Sequence, residues 1–225
     1  EELGITFTVS SEDGCLKIAA SGENGHASTP WKGKNALTGL LALIERLPLA
    51  ECGQLKAVRA LNHLMPHGDW FGAGLGIQIS DEKSGELTLA FSMLDISEKS
   101  LEGEFDSRCP ICATKENTID VIRKNMEAEG ISFNTEELEP PHHVPADSDF
   151  VKTLLSAYES YSGRKGECIA IGGGTYVHHL KNGVAFGACL PETENHMHGP
   201  DEFAVVDELL MSAKIFAQVI VDLCS

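Results

Sequence analysis

The segment Pro140-Pro141-His142-His143-Val144-Pro145 sets three prolines within six residues. Neither a helix interior nor a central strand can run through such a stretch, because proline removes a backbone donor and fixes φ. The chain therefore reads as two regions, residues 1–145 and 146–225. Before the prolines, two short alternating runs at 5–9 and 16–20 flank Ser11-Glu12-Asp13-Gly14, which is good turn chemistry. Residues 22–35 are rich in Gly, Ser, Pro and Asn and read as a loop. Residues 36–47 carry Leu37, Leu40, Leu41, Ile44 and Leu47 at helical spacing. Residues 50–73 are ambiguous, with room for a second short helix. Runs at 75–79 and 87–93 alternate around Asp81-Glu82-Lys83-Ser84-Gly85 and predict a hairpin. Residues 102–108 predict a strand, and 117–128 a helix closed by Gly130. Residues 131–138 are expected to form a closing strand. This order predicts an α+β sandwich, an antiparallel sheet covered by helices.

After the prolines the pattern changes. Asp147 or Ser148 is placed to cap a helix through Tyr161, ended by Gly163. Residues 168–171 predict a short strand running into Gly172-Gly173-Gly174, then a short helix, then a strand at 184–189. A last helix is predicted over 206–223, with Leu209, Ala213, Phe216, Ile220 and Leu223 in register. Short apolar strands alternating with helices predict part of an α/β domain.

The 225 residues are 42% apolar and 23% charged, an ordinary globular composition. No apolar run approaches the ~18 residues of a membrane span. The net charge of −17 argues against nucleic acid and anionic membrane surfaces as partners. Seven scattered cysteines show no disulfide framework and predict reduced thiols in a cytoplasmic setting. Cys109-Pro110-Ile111-Cys112 has neither a helix start nor a second pair, and reads as two incidental thiols. The chain opens on Glu1-Glu2 and enters a strand pattern almost at once, so a cut end is expected.

Three short segments could carry chemistry. The loop from Pro191 to Glu202 holds His196, His198 and four carboxylates between an expected strand and a helix, suited to zinc or manganese or simply to solvent. His26 stands among small residues in Gly25-His26-Ala27-Ser28-Thr29-Pro30, where a ligand could approach closely; taken alone it reads equally as an exposed turn histidine. Gly172-Gly173-Gly174-Thr175 lacks the spacing of a phosphate or dinucleotide loop, and is either an anion-facing turn or a turn that needs positive φ. Arg108, at an expected strand end, could clamp a carboxylate or join a surface ion pair. His67-Gly68-Asp69 and Glu136-Glu137 lie in the wrong local context for metal or base motifs. His142, His143, His178 and His179 have no convergent partners in sequence.

Taken in order, these segments resemble the co-catalytic zinc exopeptidases, the peptidase family of carnosinase and dipeptidase V. Gly-His-Ala-Ser-Thr-Pro-Trp-Lys-Gly-Lys-Asn-Ala at 25–36 is similar to the family's lid-domain histidine loop. Ile171-Gly172-Gly173-Gly174-Thr175-Tyr176 with Gly183-Val184-Ala185-Phe186-Gly187, and the proline segment, resemble the dipeptidase V branch. Met197-His198-Gly199-Pro200-Asp201-Glu202 is similar to the last metal-ligand motif. The resemblance implies a lid domain over 1–145, incomplete at its start, and the C-terminal part of the catalytic α/β domain over 146–225. It implies that His26 stabilises an oxyanion and Arg108 holds the substrate's C-terminal carboxylate. Gly173, Gly174 and Thr175 would line the substrate pocket, and His198 would be a metal ligand. Two zinc ions are implied, with manganese or cobalt as alternatives.

The family's His-x-Asp motif, bridging Asp and Glu-Glu pair, which lie upstream of the lid, have no counterpart here in the right context. Val177-His178 stands where the branch tends to have Gly-Arg. The expectation is therefore a fragment of a dipeptidase acting on dipeptides or short peptides, inactive by itself. A deacylase or desuccinylase of the same fold, and a non-catalytic product that binds peptides or self-associates through its lid sheet, are the other readings.

Overall fold

The computed structural model describes residues 2–187, 189–197 and 199–225. It divides into two compact units, Glu1–Pro141 with Ala170–Gly173, and His142–Ile169 with Gly174–Ser225. Among the described residues the chain is α+β, with three two-stranded antiparallel sheets and five α-helices.

In the first unit, β1 (Thr6–Glu12) and β2 (Cys15–Ser21) pair with Glu12 opposite Cys15, so Asp13-Gly14 is a two-residue turn. Both turn residues have positive φ, 49° and 78°, as a turn that follows the strand twist requires. The helix α1 (Ala36–Arg46) starts at Asn35, whose side chain accepts from the Thr38 N–H. The ambiguous stretch forms α2 (Gly53–Leu64), which buries Leu55, Val58, Leu61 and Leu64 at three-residue spacing. The sheet β3 (Ser80–Asp81) with β4 (Gly85–Glu86) is held by Asp81, which accepts from the Lys83, Ser84 and Cys112 N–H groups and from the Ser84 hydroxyl. Those bonds hold its carboxyl well below the usual carboxylate range, the Ser84 hydroxyl contributing most.

The principal hairpin is β5 (Thr88–Ile96) with β6 (Leu101–Arg108), bulged between Phe91 and Met93. Because side chains alternate along a strand, Leu89, Phe91 and Phe105 enter the core while Thr88, Asp106 and Arg108 share the other face. The helix α3 (Ile119–Ala128) closes this unit. Its end has Gly130 at φ 76° and hydrogen bonds from Gly130 N to Glu127 O and from Ile131 N to Met126 O, which is a Schellman closure. One core joins Leu41, Leu61, Leu75, Ile77, Phe91 and Ile122 from three helices, the principal hairpin and the loop between them.

The second unit rests on α4 (Asp149–Ser162) and α5 (Val206–Cys224). The Ser148 side chain accepts from Val151 N, and Gly163 ends α4 at φ 66°. Leu154, Ala157, Ile215 and Val219 form its small core.

Several expected elements are different. Residues 75–79 are not a strand, although Leu75 and Ile77 are completely buried. Gly72 precedes them and Gly76 sits between them, both at positive φ, and the apolar alternation serves burial without a ladder. The hairpin turn at Asp81–Gly85 does form, but on two-residue strands. Residues 131–138, 168–171 and 184–187 form no strand and find no sheet partner among the described residues; the expected strand end at Ala188 lies outside them. The expected short helix after Gly174 is a run of turns, with His178 N bonded to Thr175 O and Leu180 N to Val177 O. In the second unit, helices without a sheet replace the expected α/β pattern among the described residues. The buried face of α5 is also not the expected one: Ile215 and Val219 are buried, while Leu209, Phe216, Ile220 and Leu223 are exposed. The helix is apolar on more than one face, so periodicity alone does not select the packed side.

Candidate functional site

The loop carrying His26 is pinched at its base by two backbone bonds, Glu23 N to Lys34 O at 3.1 Å and Lys34 N to Glu23 O at 2.8 Å. Glycine is required at this neck. A Cβ on Gly22 would lie 1.9 Å from Lys34 O, and one on Gly25 2.9 Å from Gly33 N. Inside the loop, Thr29 N bonds His26 O at 2.8 Å and closes a turn. The half-buried His26 ring has Nδ1 2.7 Å from Ser28 Oγ and 3.2 Å from Ser28 N.

The loop is fastened to the hairpin by Thr88. This residue is 5% exposed, and its hydroxyl donates to the Ala27 carbonyl at 2.8 Å. Thr88 pairs in register with Arg108, so the two side chains sit together on the face turned away from the core. Two residues back on that face, Asp106 accepts from Arg108 Nη2 at 2.7 Å. Arg108 Nε is buried and finds no acceptor among the described residues. A buried unmet donor calls for an explanation, and a ligand-binding arginine is one.

Gly172 reaches the same place from the far side of the sequence. A Cβ there would stand 2.6 Å from Ser28 Cβ and 3.6 Å from Arg108 Cβ. Three segments, around residues 26–28, 106–108 and 172, therefore meet in the first unit. Gly173 belongs to this unit as well, with open space where a Cβ would be. Gly174 and Thr175 belong to the second unit and are not brought to His26 within the first.

The sequence reading did not single out Ser28, Thr88 or Asp106 as site residues, and it offered Gly172 only as the start of the glycine turn. Ser28 lies two residues from a histidine, a local signal that could have been used. Thr88 needed the strand register, and Gly172 needed the packing.

His198 lies outside the described residues. The loop leading to it is tethered in the second unit. The Glu208 carboxylate accepts from Leu190 N at 2.9 Å and Thr193 Oγ1 at 2.6 Å, and Phe203 N bonds Asn195 O at 3.1 Å. Arg164 grips both oxygens of Glu192, at 2.5 and 2.7 Å, and holds that carboxyl below its usual range. Among the described residues no three His, Cys, Asp or Glu side chains form a group able to hold a metal ion. The described residues by themselves thus do not fit a zinc site, and no step through a metal follows from them.

Other polar clusters are structural. His67 bridges Thr38 Oγ1 and the Leu3 carbonyl, each at 2.8 Å, and Asp69 accepts from Phe71, Ala73 and Gly74 N–H groups. His142 donates from Nε2 to Gly183 O at 2.5 Å; its ring lies tilted against that of His178, which meets His179 edge-on. All seven cysteines are free, and burial pushes the Cys109 thiol up, away from reactive thiolate character. No helix among the described residues is long and apolar enough to cross a membrane.

Residues 9–222 match peptidase family M20/M25/M40. The chain is 36% identical to "Putative dipeptidase YtjP" of Bacillus subtilis (strain 168), over 94% of this chain and 45% of that protein. It is 32% identical to the Beta-Ala-Xaa dipeptidase of Lactobacillus delbrueckii subsp. lactis, over 99% of this chain and 47% of that protein. A further relative, "Putative dipeptidase" of Staphylococcus epidermidis (strain ATCC 12228 / FDA PCI 1200), is 29% identical over 95% of this chain and 45% of its own length. The chain thus spans just under half the length of these relatives.

Proposed function

The chain belongs to peptidase family M20/M25/M40, and on that premise we propose that it is the substrate-recognition part of a metal-dependent dipeptidase. The observation that carries this reading is the meeting of His26, Arg108 and the start of the glycine run in one unit. A dipeptide with free termini offers a carboxylate and a scissile carbonyl. Arg108 suits the first. Its planar fork can hold a carboxylate through donors not given to Asp106, and that pair fixes how the guanidinium is turned. His26 suits the second, as a donor to the oxyanion that develops as the carbonyl is attacked. Gly173, Gly174 and Thr175 are assigned to the pocket wall, their small size permitting close approach of the peptide backbone.

In this reading residues 1–145 form the lid and 146–225 the C-terminal part of the catalytic domain. Zinc is the proposed metal of the whole enzyme, with His198 as one ligand. The chain alone is proposed to be inactive, and a cytoplasmic setting is supported by its seven free thiols. The name of the Lactobacillus relative supports dipeptides, β-alanyl ones included, over N-acyl amino acids as substrates. Comparing the two substrate types with the whole enzyme separates peptidase from deacylase.

The decisive test concerns Arg108. In the whole enzyme, Arg108→Ala is expected to lower kcat/KM for a free dipeptide roughly 10- to 100-fold, the scale of one charged hydrogen-bonded contact. The same dipeptide amidated at its C-terminus should be cleaved equally by both forms. Equal losses on both substrates would mean that Arg108 only supports the fold.

A further inference from the structure

We propose that Ser28 is a positioning residue that holds His26 in the neutral tautomer carrying its proton on Nε2. The argument rests on which atoms can donate. The Ser28 backbone N–H points at His26 Nδ1 at 3.2 Å, and an amide N–H has no capacity to accept. Nδ1 must therefore present its lone pair, and the ring proton must sit on Nε2. The Ser28 hydroxyl, 2.7 Å from the same nitrogen, can then only be a second donor to it. A protonated Nδ1 would set two N–H groups against each other.

The serine is itself held on three sides. The Thr29 N to His26 O bond closes the turn around it, and the Thr88 hydroxyl fastens the neighbouring Ala27 carbonyl. Gly172 packs so closely that a methyl group there would meet Ser28 Cβ at 2.6 Å. The ring's tautomer is thus tied to packing between segments far apart in sequence. With Nδ1 engaged as an acceptor, the ring proton is on Nε2, so that nitrogen is a hydrogen-bond donor and not a base. This fits stabilisation of a developing oxyanion and excludes His26 from taking a proton through Nδ1. The chemical consequence rests on the functional reading above; the tautomer does not.

Two measurements test the proposal. Long-range proton–nitrogen NMR of the labelled chain at neutral pH distinguishes the two ring nitrogens of His26. The wild type is expected in the Nε2–H form. Ser28→Ala removes the hydroxyl donor, and should move the tautomer ratio toward Nδ1–H by roughly 2- to 10-fold, the range for one neutral hydrogen bond. In the whole enzyme the same variant should lower kcat and leave KM nearly unchanged. Thr88→Ala, which frees the loop without touching the ring, should raise KM. An Nδ1–H wild type would overturn the assignment, and a tautomer ratio unmoved in Ser28→Ala would overturn the part given to the hydroxyl. So would a Ser28→Ala enzyme whose kinetics match those of Thr88→Ala. A shifted tautomer with unchanged kcat would uphold the lock and remove His26 from the reaction.

Discussion

The two units handle their apolar residues differently. The first gathers twelve buried residues in one core fed by helices, hairpin and loops, with Leu75, Ile77 and Leu87 completely excluded from water, although Val9 and Leu16 of its first hairpin stay exposed. The second packs four buried residues between two helices, and leaves Leu210, Phe216 and Ile220 of α5 exposed at 56%, 42% and 62%. A site whose parts come from three distant segments needs a scaffold that fixes each of them. Only the first unit has such a scaffold of its own among the described residues. It is also the unit in which His26, Arg108 and Gly172 meet.

That contrast can be broken experimentally. The largest effect is expected for Leu75→Ala, which should cost about 2–5 kcal/mol in denaturant unfolding, the range for emptying a well-packed core site. Leu154→Ala in the second unit should fall at or below the lower end, since few neighbours surround the cavity. Equal losses in a single transition would show that the units share their stability. Next comes Gly172→Ala. Its new methyl group has no room beside Ser28, so overpacking of about 1–3 kcal/mol is expected, together with altered His26 chemical shifts. If the shifts stay put, the close approach does not govern the site.

Asp81→Asn should lower the melting temperature at neutral pH, because an amide cannot reproduce all the bonds its carboxylate accepts. The sign with pH follows from its lowered folded value. The contribution is complete above about pH 5, where the unfolded carboxylate is also ionised, and fades as the medium becomes strongly acidic. A thermal melting series from pH 7 to 2 should therefore show wild type and variant converging only at the acid end. The smallest effect is expected for Leu210→Gln on the exposed face of α5, within about 0.5 kcal/mol for the isolated chain. A clear loss there would show that this face is covered in solution.

What could be read in advance was what is locally encoded. Asn35, Gly130, Ser148 and Gly163 bound helices close to the expected limits, because a cap acts on residues within one turn of itself. Strands were harder, since a strand exists only with its partner. Residues 131–138 carry the pattern and find none, whereas β5 and β6 carry it and pair. The face of α5 was misjudged because both faces are apolar. At the site, His26 and Arg108 stood out by residue type and motif. Asp106 and Thr88 did not, because their meaning depends on register: Thr88 matters because it stands opposite Arg108, and no property of a threonine in sequence announces that.

Asn35 illustrates how such dependence is built. One end of its amide accepts from Thr38 N and opens α1; the other donates to the Phe91 carbonyl at 2.7 Å, beside the bulge in β5. The two bonds use one rigid plane, so turning the amide to suit the helix turns it away from the strand. The first turn of α1 and a point 56 residues away therefore report on each other. Because Asn35 directly follows Lys34, at the neck of the histidine loop, a slip in the strand's bulge would be felt first at the hinge that carries His26.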